Sequence, residues 1–457
     1  MTPIDSYFSV RDGHLRFDGA DLVALADAHE TPFYVYSARR VQENVATVRE
    51  AFTARHPATE VFFATKACGL PWVLDLVRRA GANAEVNSGG ELWKVLRAGF
   101  RPDQVVFTGV AKTVAELEQA VRAGIRAVVV DSVSELERLD AVATRLGRRQ
   151  GIALRVDVRV ATETHPDMRT ANGGKFGIDL ADAVAAFRRA AALPGVDVRG
   201  LHLHIGSQIT GVEPYQEAVA RALAVLGEAE AAIGRRLEFL DIGGGFPVPY
   251  MDAHGAPCAR EDYFCVQTTP ADHAAAVCAV LEAQRPDLTL FIEPGRYVVA
   301  DAAVVVTRVQ AEKVKHALDD QGRPVSADRW LLIDCGYDTL LDHTFVDWYF
   351  RIVVANRAAE PADAPFRLGG PLCDSADVYL GDGDTPYRRF PAATGVGDVL
   401  VIRDVGAYGV ETMTQYNGRP RAGVLGITPD GEVVVARRAE TYEDLVRLDL
   451  DPREGGR

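Results

Sequence analysis

From residue 61 to residue 295, short apolar runs alternate with segments whose apolar residues fall three or four apart. The runs are VFFATKA at 61, NAEVNS at 83, VVFTG at 105, AVVVDS at 127, ALRVDV at 153, VRGLHLHIG at 198, FLDIGGG at 239 and TLFIEPG at 289. Each reads as a strand. Between them, PWVLDLVRRAG, GGELWKVLRAGF and TVAELEQAVRAGI carry helical spacing and stop at glycine, a C-cap signal. The recurring RAG ending marks a repeated strand–helix unit. Alternating strands and helices imply a parallel sheet, and eight such units imply an α/β fold built as a (β/α)8, TIM-like barrel.

After Ala300 the pattern changes. AAVVVTRVQAEKV, RWLLIDCG, FRIVVANR, DVLVIRDVGAYG, RAGVLGITPDG and EVVVARRAE are strands with turn signals and little helix between them. They predict a C-terminal all-β domain. The first 35 residues hold a turn at FDGAD and an extended TPFYVYS, and are expected to pack on that domain. The expected division is a barrel over 36–300 and a discontinuous β domain over 1–35 and 301–457 that contributes to the active site.

The chain of 457 residues can bury a sizeable core, and its 48% hydrophobic and 25% charged residues are an ordinary globular balance. A net charge of −14 argues against a nucleic-acid or anionic-membrane surface. No signal peptide is visible in MTPIDSYFSV, and no apolar run approaches a membrane span. The six cysteines are scattered without a CxxC pair, which predicts reduced thiols in a cytoplasmic protein.

Barrel enzymes carry their chemistry at the C-terminal ends of the strands. Those positions hold Lys66, Glu85, His204, Gly243 to Gly245, and Glu293 with Arg296. A lysine that ends an apolar strand ordinarily reaches solvent by its stem or pairs with an acid; the company at the other strand ends points to chemistry instead. The glycines of DIGGGFPVPY let backbone N–H groups approach an anion, and the loops after strands seven and eight are this fold's phosphate site. HLH, residues 202 to 204, also has the form of a metal-ligand pair, so a metal-dependent barrel hydrolase using His202 and His204 is the rival reading; the other strand ends offer too few ligands for it, and no metal is expected. A lysine, a phosphate cradle, a ring to stack and a carboxylate together fit pyridoxal phosphate.

The motifs FATKA, NSGGEL, GGKFGI, GLHLHIGSQI, LDIGGGFPVPY, EPGRYVVADA, GPLCDSADVY and GAYGVETMTQYNGRPR occur in this order along nearly the whole chain. In them the chain resembles the fold type III pyridoxal-phosphate decarboxylases, the diaminopimelate and ornithine decarboxylases and their relatives. The resemblance implies that Lys66 is the Schiff-base lysine and His204 the histidine stacked on the cofactor ring. It implies phosphate contacts from Ser207, Gly243, Gly244, Gly245 and Tyr408. Glu293 would pair with the pyridine nitrogen, and Arg296 would lie near phosphate and substrate. Arg155 and Gly295 join the cofactor set by the same resemblance, as does Glu85, which stands where relatives often carry aspartate. Cys373 would protonate the carbanion after carbon dioxide leaves, and with its neighbour would come from the second subunit of a homodimer. Racemases on a similar fold place an arginine at the pyridine nitrogen, so Glu293 argues for decarboxylation.

For the substrate, diaminopimelate decarboxylases typically read DAGMNDLIRP where this chain has DCGYDTLLDH, residues 334 to 343. Their carboxylate-gripping arginine aligns with Asp342. They also read Cys-Glu-Ser where this chain has Cys373-Asp374-Ser375, and Cys-Asp resembles the ornithine decarboxylases. An acid for a base reverses the preferred charge. The expectation is a basic, amine-bearing or modified amino acid, held by Arg296, Asp342, Asp374, Tyr408 and Tyr416. The alternative within the family is meso-diaminopimelate decarboxylation to L-lysine. A catalytically dead binding protein on the same fold is a further alternative, against which stand Lys66, His204, Glu293 and Cys373, all present.

Overall fold

The structure, a computed structural model, describes residues 4–171, 173–251 and 262–450. It divides into two compact units, one of residues 41–249 and 261–299, the other of residues 1–40, 250–260 and 300–457.

In the first unit, parallel strands follow one another in chain order: Thr59–Ala64, Asn83–Val86, Val105–Phe107, Ala127–Val130, Gln150–Asp157, Val196–His202, Phe239–Asp241 and Thr289–Ile292. The eighth pairs with the first, so the sheet closes into a barrel. Residues 105–107, 127–130 and 150–157 are buried throughout, as expected for parallel strands covered on both faces. A two-residue strand, Ile178–Asp179, extends the sheet beside the fifth strand. The helices Pro71–Arg79, Gly89–Arg97 and Val114–Ala123 occupy the expected positions. Gly124, at φ +70°, caps the last of them in the left-handed conformation. Lower in the barrel the interior is aromatic: Phe239 stacks on Phe291 at 4.2 Å, and Phe62 meets Phe291 at 4.7 Å. This apolar plug leaves the C-terminal ends of the strands as the place where inward polar side chains collect.

The second unit is built on the long strand Ala303–Leu318. It pairs antiparallel with Phe33–Ser37, with Val399–Arg403 and with Pro324–Ile333. Gly423–Ile427 lies parallel to Phe33–Ser37 on its other side. Phe17, Leu22, Val35, Val304, Val401 and Ile427 form its core. Two strands here, Ala364–Gly369 and Arg388–Phe390, were not expected from the pattern. Among the described residues no helix is long and apolar enough to cross a membrane. The cysteine expectation needs one correction: Cys68, Cys278, Cys335 and Cys373 are free, whereas Cys265 is disulfide-bonded. Cys258 lies outside the described residues.

Candidate active site

Lys66 sits in a single 3-10 turn, Thr65–Ala67, that ends the first barrel strand. Thr65 fixes that turn: its hydroxyl donates to the Glu85 carbonyl at 2.9 Å and to the Glu91 carboxylate at 2.7 Å. Glu91 in turn accepts from the Asn87 N–H at 2.8 Å, so NSGGEL serves as a brace for the lysine. The Lys66 ammonium lies 3.9 Å from Glu85 Oε2. Its side chain is 40% exposed, while Glu85 is fully buried. Neither Glu85 carboxylate oxygen has a hydrogen-bond partner. Burial pushes the Glu85 carboxyl up, and the Lys66 charge opposes that.

Glu293 follows the eighth strand. It accepts from Thr108 Oγ1 at 3.3 Å, and His202 Nε2 lies 3.4 Å from its other oxygen. Burial raises its carboxyl, while Lys66 and Arg155 pull it down. Arg155 is buried on the fifth strand, with its guanidinium 4.5 Å over the Phe176 ring of the GGKFGI motif. His204 accepts the Gly244 N–H at Nδ1 over 3.2 Å, which leaves the neutral ring's proton on Nε2. Burial, with Lys66 and Arg155 nearby, holds this imidazole well below its ordinary range. The pair HLH is thus split: His202 turns to Glu293 and His204 to the glycine loop.

The glycine run is sterically obligatory. A Cβ on Gly244 would lie 2.2 Å from the Glu293 carbonyl oxygen, and one on Gly243 would lie 2.5 Å from His204 Nδ1. Ser207 Oγ accepts from Arg296 Nε at 3.3 Å. Gly295 lets EPGR pass the lysine turn, since a Cβ there would lie 3.0 Å from Ala64 Cβ.

The barrel therefore gathers Lys66, Glu85, Arg155, His204, Ser207, Gly243–Gly245, Glu293, Gly295 and Arg296 at one end. Neutral imidazole face, buried acid, amine and side-chain-free glycine turn are the set that a phosphorylated pyridine aldehyde requires. The Glu85 oxygens, ion-paired to Lys66 but without a hydrogen bond, and the loop that no side chain can enter fit such a group. Sequence reasoning missed Thr108 and Asp241, and took His202 only as a metal ligand. Thr108 follows the apolar strand VVF and Asp241 ends the strand FLD, so each is a polar residue at the end of a short apolar run.

The remaining candidates lie in the β unit. Cys373 is exposed, and its N–H donates to Asn417 Oδ1 at 2.8 Å. Asp374 accepts the Tyr337 hydroxyl at 2.7 Å and the Ala376 N–H at 3.0 Å. The Ala376 N–H, then Tyr337, hold its carboxyl below the ordinary value. Tyr337 stacks on Tyr416, with ring centroids 5.6 Å apart. Asp342 opens a one-turn helix, Asp342–Phe345. Tyr408 adopts φ +66° ahead of the helix Gly409–Thr412. The partner of Asp374 is thus Tyr337, a residue the sequence did not single out.

Residues 38–300 match the family described as pyridoxal-dependent decarboxylase, pyridoxal binding domain. The diaminopimelate decarboxylase of Archaeoglobus fulgidus is 33% identical over 444 residues, covering 96% of this chain and 97% of that one. That of Neisseria meningitidis serogroup A is 36% identical over 430 residues, covering 93% and 96%. Among solved structures, the diaminopimelate decarboxylase of M. jannaschii in co-complex with L-lysine superposes with a TM-score of 0.86 at 30% identity, covering 99% of each chain.

Proposed function

The chain belongs to the pyridoxal-dependent decarboxylases, and on that premise we propose that it removes the α-carboxylate, as carbon dioxide, of an amino acid whose distal group is a cation. Pyridoxal phosphate, when bound, supplies the sink for the electron pair that the departing carboxylate leaves behind. The protein's own residues do the rest. Lys66 would supply the amine that holds the cofactor's aldehyde carbon. The side-chain-free Gly243–Gly245 turn would give its phosphate close approach, and Ser207 and Arg296 would offer hydroxyl and cationic contacts, while the Gly243 and Gly244 N–H groups are given to Asp241 and His204. His204, kept neutral, offers a flat ring face. Glu293 is the carboxylate partner of the ring nitrogen. Cys373 returns a proton to Cα.

The single observation that carries the substrate reading is the Asp374 carboxylate, fixed by Tyr337 and Ala376 and held in its charged form. An ionised acid beside stacked aromatic faces suits an ammonium and repels a carboxylate. Asp342 adds a second acid where an arginine would grip a distal carboxylate. Cys373 and Asp374 serve the barrel of a second copy in a homodimer; the exposure of Cys373 supports that reading.

The second reading is meso-diaminopimelate decarboxylation, favoured by relatives that share 33% and 36% identity over nearly the full length. Carbon dioxide release from L- and D-forms of ornithine, lysine and arginine, and from diaminopimelate, separates the two. A kcat/KM for diaminopimelate above that of every cationic amino acid would overturn the first.

A further inference from the structure

The seventh barrel strand ends on Asp241, a residue with no part in the reading above. It lies beside His202 of the sixth strand in register and next to Phe291 of the eighth. Its side chain is fully buried. Oδ1 accepts the Gly243 N–H at 2.9 Å, while Oδ2 is sealed from solvent and receives no hydrogen bond. Side-chain atoms of Asp241, His202 and Glu293 lie within 4.8 Å of one another. The acids that face Asp241 are Glu293 and Glu85, and the bases at this end of the barrel are His202, Lys66 and Arg155.

Two carboxylates this close, both out of contact with water, do not both carry charge. Glu293 is the better anion. It has Thr108 and His202 as partners and feels the Lys66 and Arg155 charges, whereas Asp241 has one backbone N–H. We propose that Asp241 is a positioning residue that holds the proton of this pair and lends its O–H to Glu293, keeping Glu293 a charged and oriented partner for the cofactor's ring nitrogen. A protonated Oδ2 is a donor, which gives that otherwise orphaned atom a role. Burial and the neighbouring Glu293 charge both push the Asp241 carboxyl up, in the same direction. The inference rests on the role proposed for Glu293.

Asp241→Asn places an N–H donor where the O–H stood and can still accept from Gly243; Asp241→Ala removes both functions. Infrared spectra of the apoprotein and the holoenzyme at neutral pH show a protonated-carboxyl stretch in the wild type that Asp241→Asn lacks. In steady-state assays Asp241→Ala lies roughly ten- to a hundred-fold below Asp241→Asn in kcat, the loss of one hydrogen bond to a charged acceptor, with KM moving much less. The alkaline limb of kcat, where the shared proton leaves, shifts to higher pH in Asp241→Asn. Absence of that infrared band, or an asparagine variant no better than the alanine one, overturns the proposal. Glu293→Gln separates this from failure of the underlying reading. If it keeps the wild-type cofactor absorbance and kcat, Glu293 is not the ring-nitrogen partner. If it is impaired while the two Asp241 variants are equivalent, only the role of Asp241 falls.

Discussion

The Lys66 ammonium stands 3.9 Å from a Glu85 carboxylate that has no solvent exposure. A buried acid facing a half-exposed amine keeps that amine at the mouth of the barrel rather than free in solvent. Lys66→Ala is expected to abolish turnover and the borohydride-reducible attachment of cofactor. Lys66→Arg keeps a cation for Glu85 and so keeps the melting temperature nearer the wild type, yet is equally inactive. A reducible, lysine-linked chromophore surviving in Lys66→Ala would move the assignment elsewhere.

Gly244→Ala forces a methyl to 2.2 Å from the Glu293 carbonyl. The loop must shift, an overpacking cost of about 1–3 kcal/mol. Because that loop is the proposed phosphate cradle and also carries the N–H that orients His204, cofactor affinity should fall well before stability does. Titration of the apoprotein with pyridoxal phosphate, followed by absorbance, reads this directly; unaltered affinity would take the glycine run out of the phosphate site.

Much of the barrel was legible because a parallel strand covered on both faces is a continuous apolar run, and such runs ended on glycine or on a reactive side chain. VFFATKA and TLFIEPG announced both the strands and their functional ends. The strands Ala364–Gly369 and Arg388–Phe390 were not legible, since Pro365 and the paired arginines break any apolar alternation. Asp241 escaped for a related reason: an acid followed two residues later by glycine reads as turn chemistry, and only the closed barrel brings it to Glu293. Tyr337 escaped because Asp374 and Tyr416, its partners, are distant in sequence.

Subunit mixing tests the placement of Cys373. On the proposed homodimer, Lys66→Ala and Cys373→Ala are each expected to be inactive alone. Randomly exchanged, half the dimers are mixed and one of two sites in each is intact, so activity should recover to about a quarter of the wild type. Demonstrated exchange without recovery would mean that each site is built within one chain.

The acid pocket carries its own prediction. Tyr337→Phe removes the hydroxyl that holds Asp374, and should lower kcat/KM for a cationic substrate by roughly three- to ten-fold through KM. Asp374→Asn should do more, and Asp342→Arg should shift preference toward a substrate with a distal carboxylate. Equal effects on cationic and acidic substrates would deny these residues a part in charge selection.

Asp338 gives a stability signature. Burial pushes its carboxyl up to about 6, with Arg419 opposing and Asp377 adding to the rise. An acid raised on folding takes up a proton as the chain folds, so its contribution to stability falls as pH rises from about 4 to about 6, and is level above. Asp338→Asn abolishes that penalty and should stabilise the protein at pH 8 by up to about 3 kcal/mol, with little difference at pH 4. Denaturant melts at both pH values measure it; a variant less stable than wild type at pH 8 would show that the Arg419 contact outweighs the burial of charge.

The strand Phe33–Ser37 finds both of its neighbours, Ala303–Leu318 and Gly423–Ile427, in the last third of the chain. It emerges from the ribosome first and must wait while the barrel is made. At ordinary elongation rates the wait for Gly423–Ile427 is roughly 20–80 s. Throughout it, an apolar FYVYS segment, buried at every position in the finished fold, stands with unpaired edges. Through that interval the open edge is a site for mispairing with other chains. The barrel unit alone excludes the first 40 residues and residues 250–260 as well as everything after 299.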